Sequence, residues 1–257
     1  MPDVEAFYLP TGPDRFRATE HTVGPWAPTD QHGGPPSALL VRAIERLLPA
    51  GEGMLARVTV DLVGTVPVAE LTVTAREVRP GRAVRLVEAE LSANGRVAAR
   101  AAAWWHRLGD TGAVAGSPPP APTRPAEADS GGWAAFGYLH AIEWRWVSGH
   151  FTERGPANVW VRQRVPVVPD EQPSPTQRVM VIADSGNGVS NVLSPQSWLF
   201  VNTELTVHLV RPPVGEWLNV AAETTVGAAG VGLAASRLSD ETGQFGRGAQ
   251  ALVVRSR

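Results

Sequence analysis

The chain contains no cysteine, so thiolate nucleophiles, disulfides and thiolate zinc sites are closed to it. Its histidines, His21, His32, His106, His140, His150 and His208, are scattered and show no H-x-x-x-H spacing, so no metal site is expected. Ser37 and Ser190 lack a G-x-S-x-G frame, and the SGNG run from Ser185 to Gly188 lacks the frame of a phosphate loop. What remains are polar side chains lodged in apolar runs: Asp184 in IADSGNG, Asn202 in FVNTELTV and Gln250 in GAQALVV. A carboxylate can take up a proton, and an amide both donates and accepts hydrogen bonds. Asparagine is disfavoured within strands, and a buried glutamine must be satisfied by partners, so both positions ask for a reason. Each also has a plainer reading. Asp184 could cap a helix, Asn202 a turn, and Gln250 could make a structural bond.

The elements that would position these residues come in two similar sets. His32 to Leu48 has apolar residues at Leu39, Leu40, Ala43, Ile44, Leu47 and Leu48, the spacing of a helix with a wide apolar stripe. Pro35 and Pro36 suit its first turn. Four strand-like runs follow: ARVTVDLVGTV, ELTVTAREV, AVRLVEAEL ending in the turn SANG, and RVAARAAAWW, where alanine weakens the strand pattern. The second half opens with two strand candidates, AIEWRWVSGHF and ANVWVRQRVPVV, then a short helix after Asp184. Four more runs complete it: WLFVNTELTVHLV, EWLNVAAETTV, VGLAASRLS and FGRGAQALVV. Between the halves, 109–129 is dense in Gly, Pro and Ala and reads as a surface connection; 168–177 reads as a polar loop. The expected division is 1–108, a linker over 109–139, and 140–257.

The halves align. Pro67 to Leu71 matches Pro213 to Trp217 at an offset of 146. That places Ala56 opposite Asn202 and Val58 opposite Glu204. Two extra residues in the last turn place Ala102 opposite Gln250. At the helix starts Gly33-Gly34 faces Ser185-Gly186, so His32 faces Asp184. The second half thus carries polar side chains where the first carries apolar ones or a histidine. A helix followed by an antiparallel meander buries its stripe on one sheet face. Two such units can join their sheets and leave a groove beside the helix starts. The fold class expected is α+β: a double hotdog, with two antiparallel sheets each around a central helix and joined side by side.

Composition sets the outer bounds. The 257 residues are 43% hydrophobic and 19% charged, an ordinary globular balance. The formal net charge is -2 and all 23 basic residues are arginine, with no basic block, so a nucleic-acid partner is not expected. No run of 18 apolar residues suggests a membrane span. The first residues, MPDVEAFYLPTGPDRFR, have neither the basic start nor the apolar core of a secretory leader. A cytoplasmic location follows as an expectation.

Pro25 to Glu45, PWAPTDQHGGPPSALLVRAIE, and Asn202 to Trp217, NTELTVHLVRPPVGEW, resemble bacterial acyl-CoA thioesterase II-like proteins. The resemblance extends from about Phe16 to Arg255 and is poorest in the linker. It implies a catalytic set of an Asp at the second helix, a Thr or Asn on the next strand and a Gln on the last. By position these fall on Asp184, Asn202 (with Thr203 beside it) and Gln250. Asn stands here where the better-studied members have Thr. Asn cannot be a hydroxyl nucleophile, but it can orient water.

The resemblance implies an acyl-CoA substrate and no cofactor. Thioester hydrolysis needs a positioned water, a group to take its proton and donors for the oxyanion. Asp184 would act on the water, held by Asn202 and Gln250. Gly33, Gly34 and Gly186 would let the thioester approach backbone N–H groups at the helix starts. Thr203 and His32 are further substrate-binding candidates, and Arg211 a candidate for coenzyme phosphate. His32 more readily packs in the helix-entry loop than acts as a base. The tryptophans on strands suit core packing, with some lining an acyl tunnel. The expected activity is acyl-CoA hydrolysis in lipid metabolism by a homo-oligomer, a dimer or tetramer. The alternatives are an acyl-CoA or acyl-ligand binding protein on the same fold and, less well supported, a hydratase, whose D-x-x-x-x-H pattern is missing at Asp184.

Overall fold

The computed structural model describes residues 6–132 and 135–257. Residues 1–5, the start of the segment read above as lacking a leader, and 133–134, inside the expected linker, lie outside the described residues. Strands β1 (Tyr8–Pro10) and β2 (Arg15–Ala18) precede helix α1 (Gly34–Glu45). The first meander follows as β3 (Gly53–Leu62), β4 (Glu70–Arg79), β5 (Val84–Ala93) and β6 (Arg96–Arg107). A one-turn helix α2 (Gly137–His140) leads into β7 (Ile142–Ser148) and β8 (Ala157–Gln163). Helices α3 (Pro175–Ala183) and α4 (Gly186–Val189) come next. The second meander is β9 (Trp198–Asn202), β10 (Glu204–Leu209), β11 (Trp217–Val226), β12 (Val231–Asp240) and β13 (Gly243–Ser256).

These strands form one antiparallel sheet in the order β1-β2-β4-β5-β6-β3-β10-β13-β12-β11-β8-β7, with β9 also on β13. The halves join where β3 pairs with β10, Val58 opposite Val207 and Thr59 opposite Thr206. The register repeats across the joint. Val60 pairs with Ala101 in the first half and Thr206 with Ala249 in the second, positions separated by 146 and 148, the offsets read from the sequence. The SANG turn is a two-residue hairpin with Asn94 and Gly95 at φ 52° and 73°. That is the left-handed pair a tight right-twisted hairpin needs.

Helix α1 starts on Pro35 and Pro36 and buries ten of its twelve residues. Leu39, Leu40, Val41 and Ile44 are all within 1% of full burial, each contributing about 1.5–3 kcal/mol of apolar burial. It packs on β4, β5 and β6. Helix α4 packs on β11, β12 and β13, the strands that match those three in the second half. So α4 is the counterpart of α1, cut to one turn.

Helix α3 has no counterpart in the first half. It lies antiparallel against α1. At one end Glu45 accepts hydrogen bonds from Ser174 Oγ and Gln177 Nε2, both at 2.7 Å. At the other, a Cβ on Gly34 would stand 2.0 Å from Val181 O, so only glycine lets the helices come this close. The loop expected over 168–177 therefore ends earlier than its composition suggests. Ser174 caps α3 by accepting from Gln177 N–H at 3.0 Å, with proline in the first turn. The N-terminal segment also ties the halves together. Phe7 and Tyr8 donate their N–H groups to Pro166 O and Val167 O, both at 3.0 Å.

Candidate active site

Asp184 lies at the junction of α3 and α4. It is the last-turn flanking residue of α3, and Ser185 is the flanking residue of α4. Its carboxylate therefore caps neither helix, and at 6% exposure it is buried. A buried carboxylate must be hydrogen-bonded, and the donors come from two strands far away in sequence. Asn202, the final residue of β9, donates from Nδ2 to Asp184 Oδ1 at 2.8 Å. Gln250, 1% exposed on β13, donates from Nε2 to the same Oδ1 at 3.1 Å and to Asp184 O at 3.0 Å. Gln250 Oε1 in turn accepts from Asn187 N–H on α4 at 2.9 Å. The structure thus brings Asp184, Asn202 and Gln250 into one hydrogen-bonded cluster.

His32 completes it from the other half. Its Nδ1 lies 3.3 Å from Asp184 Oδ2 and accepts from Gly34 N–H at 3.1 Å. A ring nitrogen that accepts from a backbone N–H is unprotonated, so the neutral ring carries its proton on Nε2. Burial pushes the His32 pKa below its ordinary value, and the neighbouring Asp184 charge only partly opposes this. The ring stacks on Tyr138, centroids 3.7 Å apart and planes within 4°. Tyr138 donates to Val181 O at 2.9 Å and so accepts from Ser185 Oγ at 2.7 Å. Burial raises the phenol's pKa far beyond the physiological range, so it stays neutral. Residues matched by the repeat, His32 and Asp184, are thus in direct contact.

The glycines have packing reasons. A Cβ on Gly33 would lie 2.7 Å from Asp184 Oδ2, and one on Gly186 would lie 2.7 Å from Ser236 Oγ and 2.9 Å from Gln250 Oε1. The space beside them is filled by the cluster's own atoms, as the space beside Gly34 is by α3. Two of the helix-start N–H groups expected to meet an oxyanion are also engaged, Gly34 by His32 and Asn187 by Gln250. Thr203 is exposed between β9 and β10, its hydroxyl 3.4 Å from Ala251 O, and does not join the cluster. Arg211 is a correction. Both terminal nitrogens are spent on the buried Asp240, at 2.6 and 2.8 Å, which makes it a structural ion pair instead of a free phosphate ligand. Burial alone would raise the Asp240 pKa, but Arg211, the Thr242 hydroxyl and two backbone N–H groups outweigh it and hold the carboxylate well below the usual range.

Two residues of the site went unread in the sequence. Tyr138 lay inside the supposed linker, where a large buried aromatic is out of place; that was its signal. Asn187 had none, because its position matters through Gln250. Its Nδ2 donates to Phe200 O at 3.3 Å, while its buried Oδ1 has no partner among the described residues. Among the described residues no group of three or more His, Asp or Glu is arranged to hold a metal ion, and no helix is long and apolar enough to cross a membrane.

Comparison with known proteins places this geometry. Residues 22–106 match the family description "Acyl-CoA thioesterase N-terminal domain" and residues 115–254 match "Acyl-CoA thioesterase C-terminal domain". Among curated proteins, none matches the chain in sequence. Solved structures similar to it include a candidate thioesterase II of Thermobifida fusca YX (15% identity, 96% of this chain and 95% of that one, TM-score 0.76). A protein of unknown function with a hot dog fold from Alicyclobacillus acidocaldarius is similar at 15% identity, 95% and 94% coverage and TM-score 0.75. The acyl-CoA thioesterase II TesB2 of Mycobacterium marinum is similar at 12% identity, 97% and 95% coverage and TM-score 0.67. At such identities the likeness shows the fold, hot dog in kind.

Proposed function

Because this chain belongs to the acyl-CoA thioesterase family, we propose that it hydrolyses an acyl-CoA thioester to the free acid and CoA through a water activated by Asp184. The observation that carries the reading is the meeting of Asp184 with Asn202 and Gln250 at 2.8 and 3.1 Å. Both amides donate to Oδ1, which fixes the carboxylate and leaves Oδ2 as the oxygen to take the proton. The water's oxygen bonds to the thioester carbon as that proton passes to Asp184. The carbon–sulfur bond then breaks, and the departing thiolate takes the proton. Asn202, whose Nδ2 is committed to the carboxylate, keeps its Oδ1 to accept a hydrogen bond from the water's other O–H. His32, neutral and with Nε2–H unpartnered among the described residues, is the donor that remains for the developing oxyanion.

We read the architecture as two hot dog units, 1–108 and 140–257, joined side by side through β3 and β10 and linked by 109–139, with a homo-oligomer of such chains in solution. The test of function is release of free CoA from a panel of acyl-CoAds of graded length, followed with a thiol reagent. The chain has no cysteine, so the reagent reads only the product. Saturable release with at least one substrate supports the reading. Equilibrium binding of the same compounds without turnover selects a binding protein on this scaffold instead.

A further inference from the structure

The outer face of the sheet treats charge differently in its two halves. In the first half, arginines on this face meet glutamates across the strands: Arg76 with Glu88 at 2.7 Å and Arg100 with Glu90 at 3.0 Å. Such opposite-charge pairs stabilise a sheet, and like charges directly opposite destabilise it. Across the joint the rule is broken. Arg237 on β12 faces Arg247 on β13, Arg247 faces His208 on β10, and His208 faces Arg57 on β3. Four basic residues on four adjacent strands stand side by side, roughly 14 Å from end to end at the ordinary strand spacing. Among the described residues none of the three arginines has a carboxylate within 4.0 Å. Arg57 Nε is moreover buried without a hydrogen-bond partner.

The row borders a concavity of about 630 Å³, a size that suits a small molecule. Its floor is small, Ala221, Ala235 and Ala249, and its rim carries Asn158, Thr206, His208, Arg237 and Arg247. Glu223 is the one carboxylate in the lining and forms no ion pair with the row. The chain as a whole is slightly acidic, so the row is a local choice. A second copy of this chain is a poor occupant, because the outer-face glutamates of the first half are already matched to arginines.

We infer that this concavity is an anion site, separate from the Asp184 cluster, for a phosphorylated small molecule bearing at least two phosphoryl groups. Guanidinium forks recognise phosphate oxygens two at a time, and the two that line the concavity, Arg237 and Arg247, beside the His208 imidazole, suit a diphosphate or a bisphosphate. The cost of the unpaired row in the empty protein is then what ligand binding relieves. Gln250 on β13 points to the helix side and its neighbour Ala249 lines the concavity, so one strand serves both faces without sharing a side chain.

The probes are inorganic diphosphate and adenosine 3′,5′-bisphosphate, titrated against the wild-type chain by calorimetry at two salt concentrations. The variants are Arg247→Gln, Arg237→Gln and, as the control for independence, Asp184→Asn. Expected are saturable binding weakened by salt, a loss of about 10-fold or more in affinity in each arginine variant, and unchanged binding in Asp184→Asn. A preference for the bisphosphate marks a nucleotide as the source, and tighter diphosphate binding marks a free anion; either supports the site. Both arginine variants should also melt higher than wild type without ligand and lose the ligand-induced rise. Absence of binding up to millimolar probe, equal affinity in all variants, or a change of oligomeric state as the only effect of Arg247→Gln would overturn the inference.

Discussion

Gly33 lies so near Asp184 that a methyl group on it would stand 2.7 Å from Oδ2 and 3.0 Å from Cγ. One residue from each half of the chain thus sets the position of the oxygen proposed to take the proton. Gly33→Ala should push the carboxylate aside, lowering kcat about 100-fold at a cost of only about 1–3 kcal/mol in stability. Gly34→Ala makes the contrast. Its Cβ would meet backbone, Val181 O at 2.0 Å, which cannot swing away, so loss of more than about 3 kcal/mol or failure to fold is expected. Denaturant melts beside rate measurements separate the two.

Asn202 and Gln250 should differ in what they cost. Asn202 is part-exposed at a strand end, so Asn202→Ala should cost about 1 kcal/mol while slowing hydrolysis about 100-fold or more. Asn202→Thr keeps a donor for Asp184 and should stay within about tenfold of wild type. Gln250→Ala leaves Asn187 N–H and Asp184 O without partners, so its rate loss should come with at least about 2 kcal/mol of destabilisation.

The lowered His32 pKa fixes a pH dependence. Folding favours the neutral ring, so the unfolded chain binds more protons between the lowered folded value and the ordinary value near 6.5. Stability contributed by His32 is full above about pH 6.5 and declines as pH falls through that window. His32→Phe keeps the stack on Tyr138 and should flatten this part of the curve of unfolding free energy against pH. An unchanged slope from pH 7.5 to 5 would contradict the assignment.

Arg211 should behave as a structural residue. Arg211→Gln leaves Asp240 buried and half-paired, and about 3–5 kcal/mol of stability should be lost. KM for acyl-CoA should not change once the variant is folded. A raised KM with intact stability would return Arg211 to the role of a phosphate ligand.

Periodicity made much of this fold legible. The stripe of Leu39, Leu40 and Ile44 announced α1, and the offset between Pro67 and Pro213 foretold the register on either side of the joint. Helix α3 was hidden because 168–177 holds three prolines among mostly polar residues. Its signal was the cap, Ser174 with Gln177 three residues on, a local rule masked by composition. WLFVNTELTVHLV reads as one strand, yet it breaks at Thr203. Its first part pairs with β13 and its second sits between β3 and β13, and pairing partners are not written in local alternation. The cluster of Asp184, Asn202 and Gln250 could be seen through the repeat because each polar residue replaced an apolar one or a histidine. Tyr138 and Asn187 act only through tertiary neighbours, so no spacing marked them.

The central claim, that Asp184 takes up the proton of the attacking water, is tested most directly by Asp184→Asn. The side chain keeps its shape, and its oxygen can still accept from Asn202 and Gln250, so the fold should persist by circular dichroism and melting. The rate of CoA release from the best acyl-CoA should fall by about 100-fold or more, with KM little altered. A folded Asp184→Asn chain that hydrolyses that substrate at the wild-type rate would contradict the account.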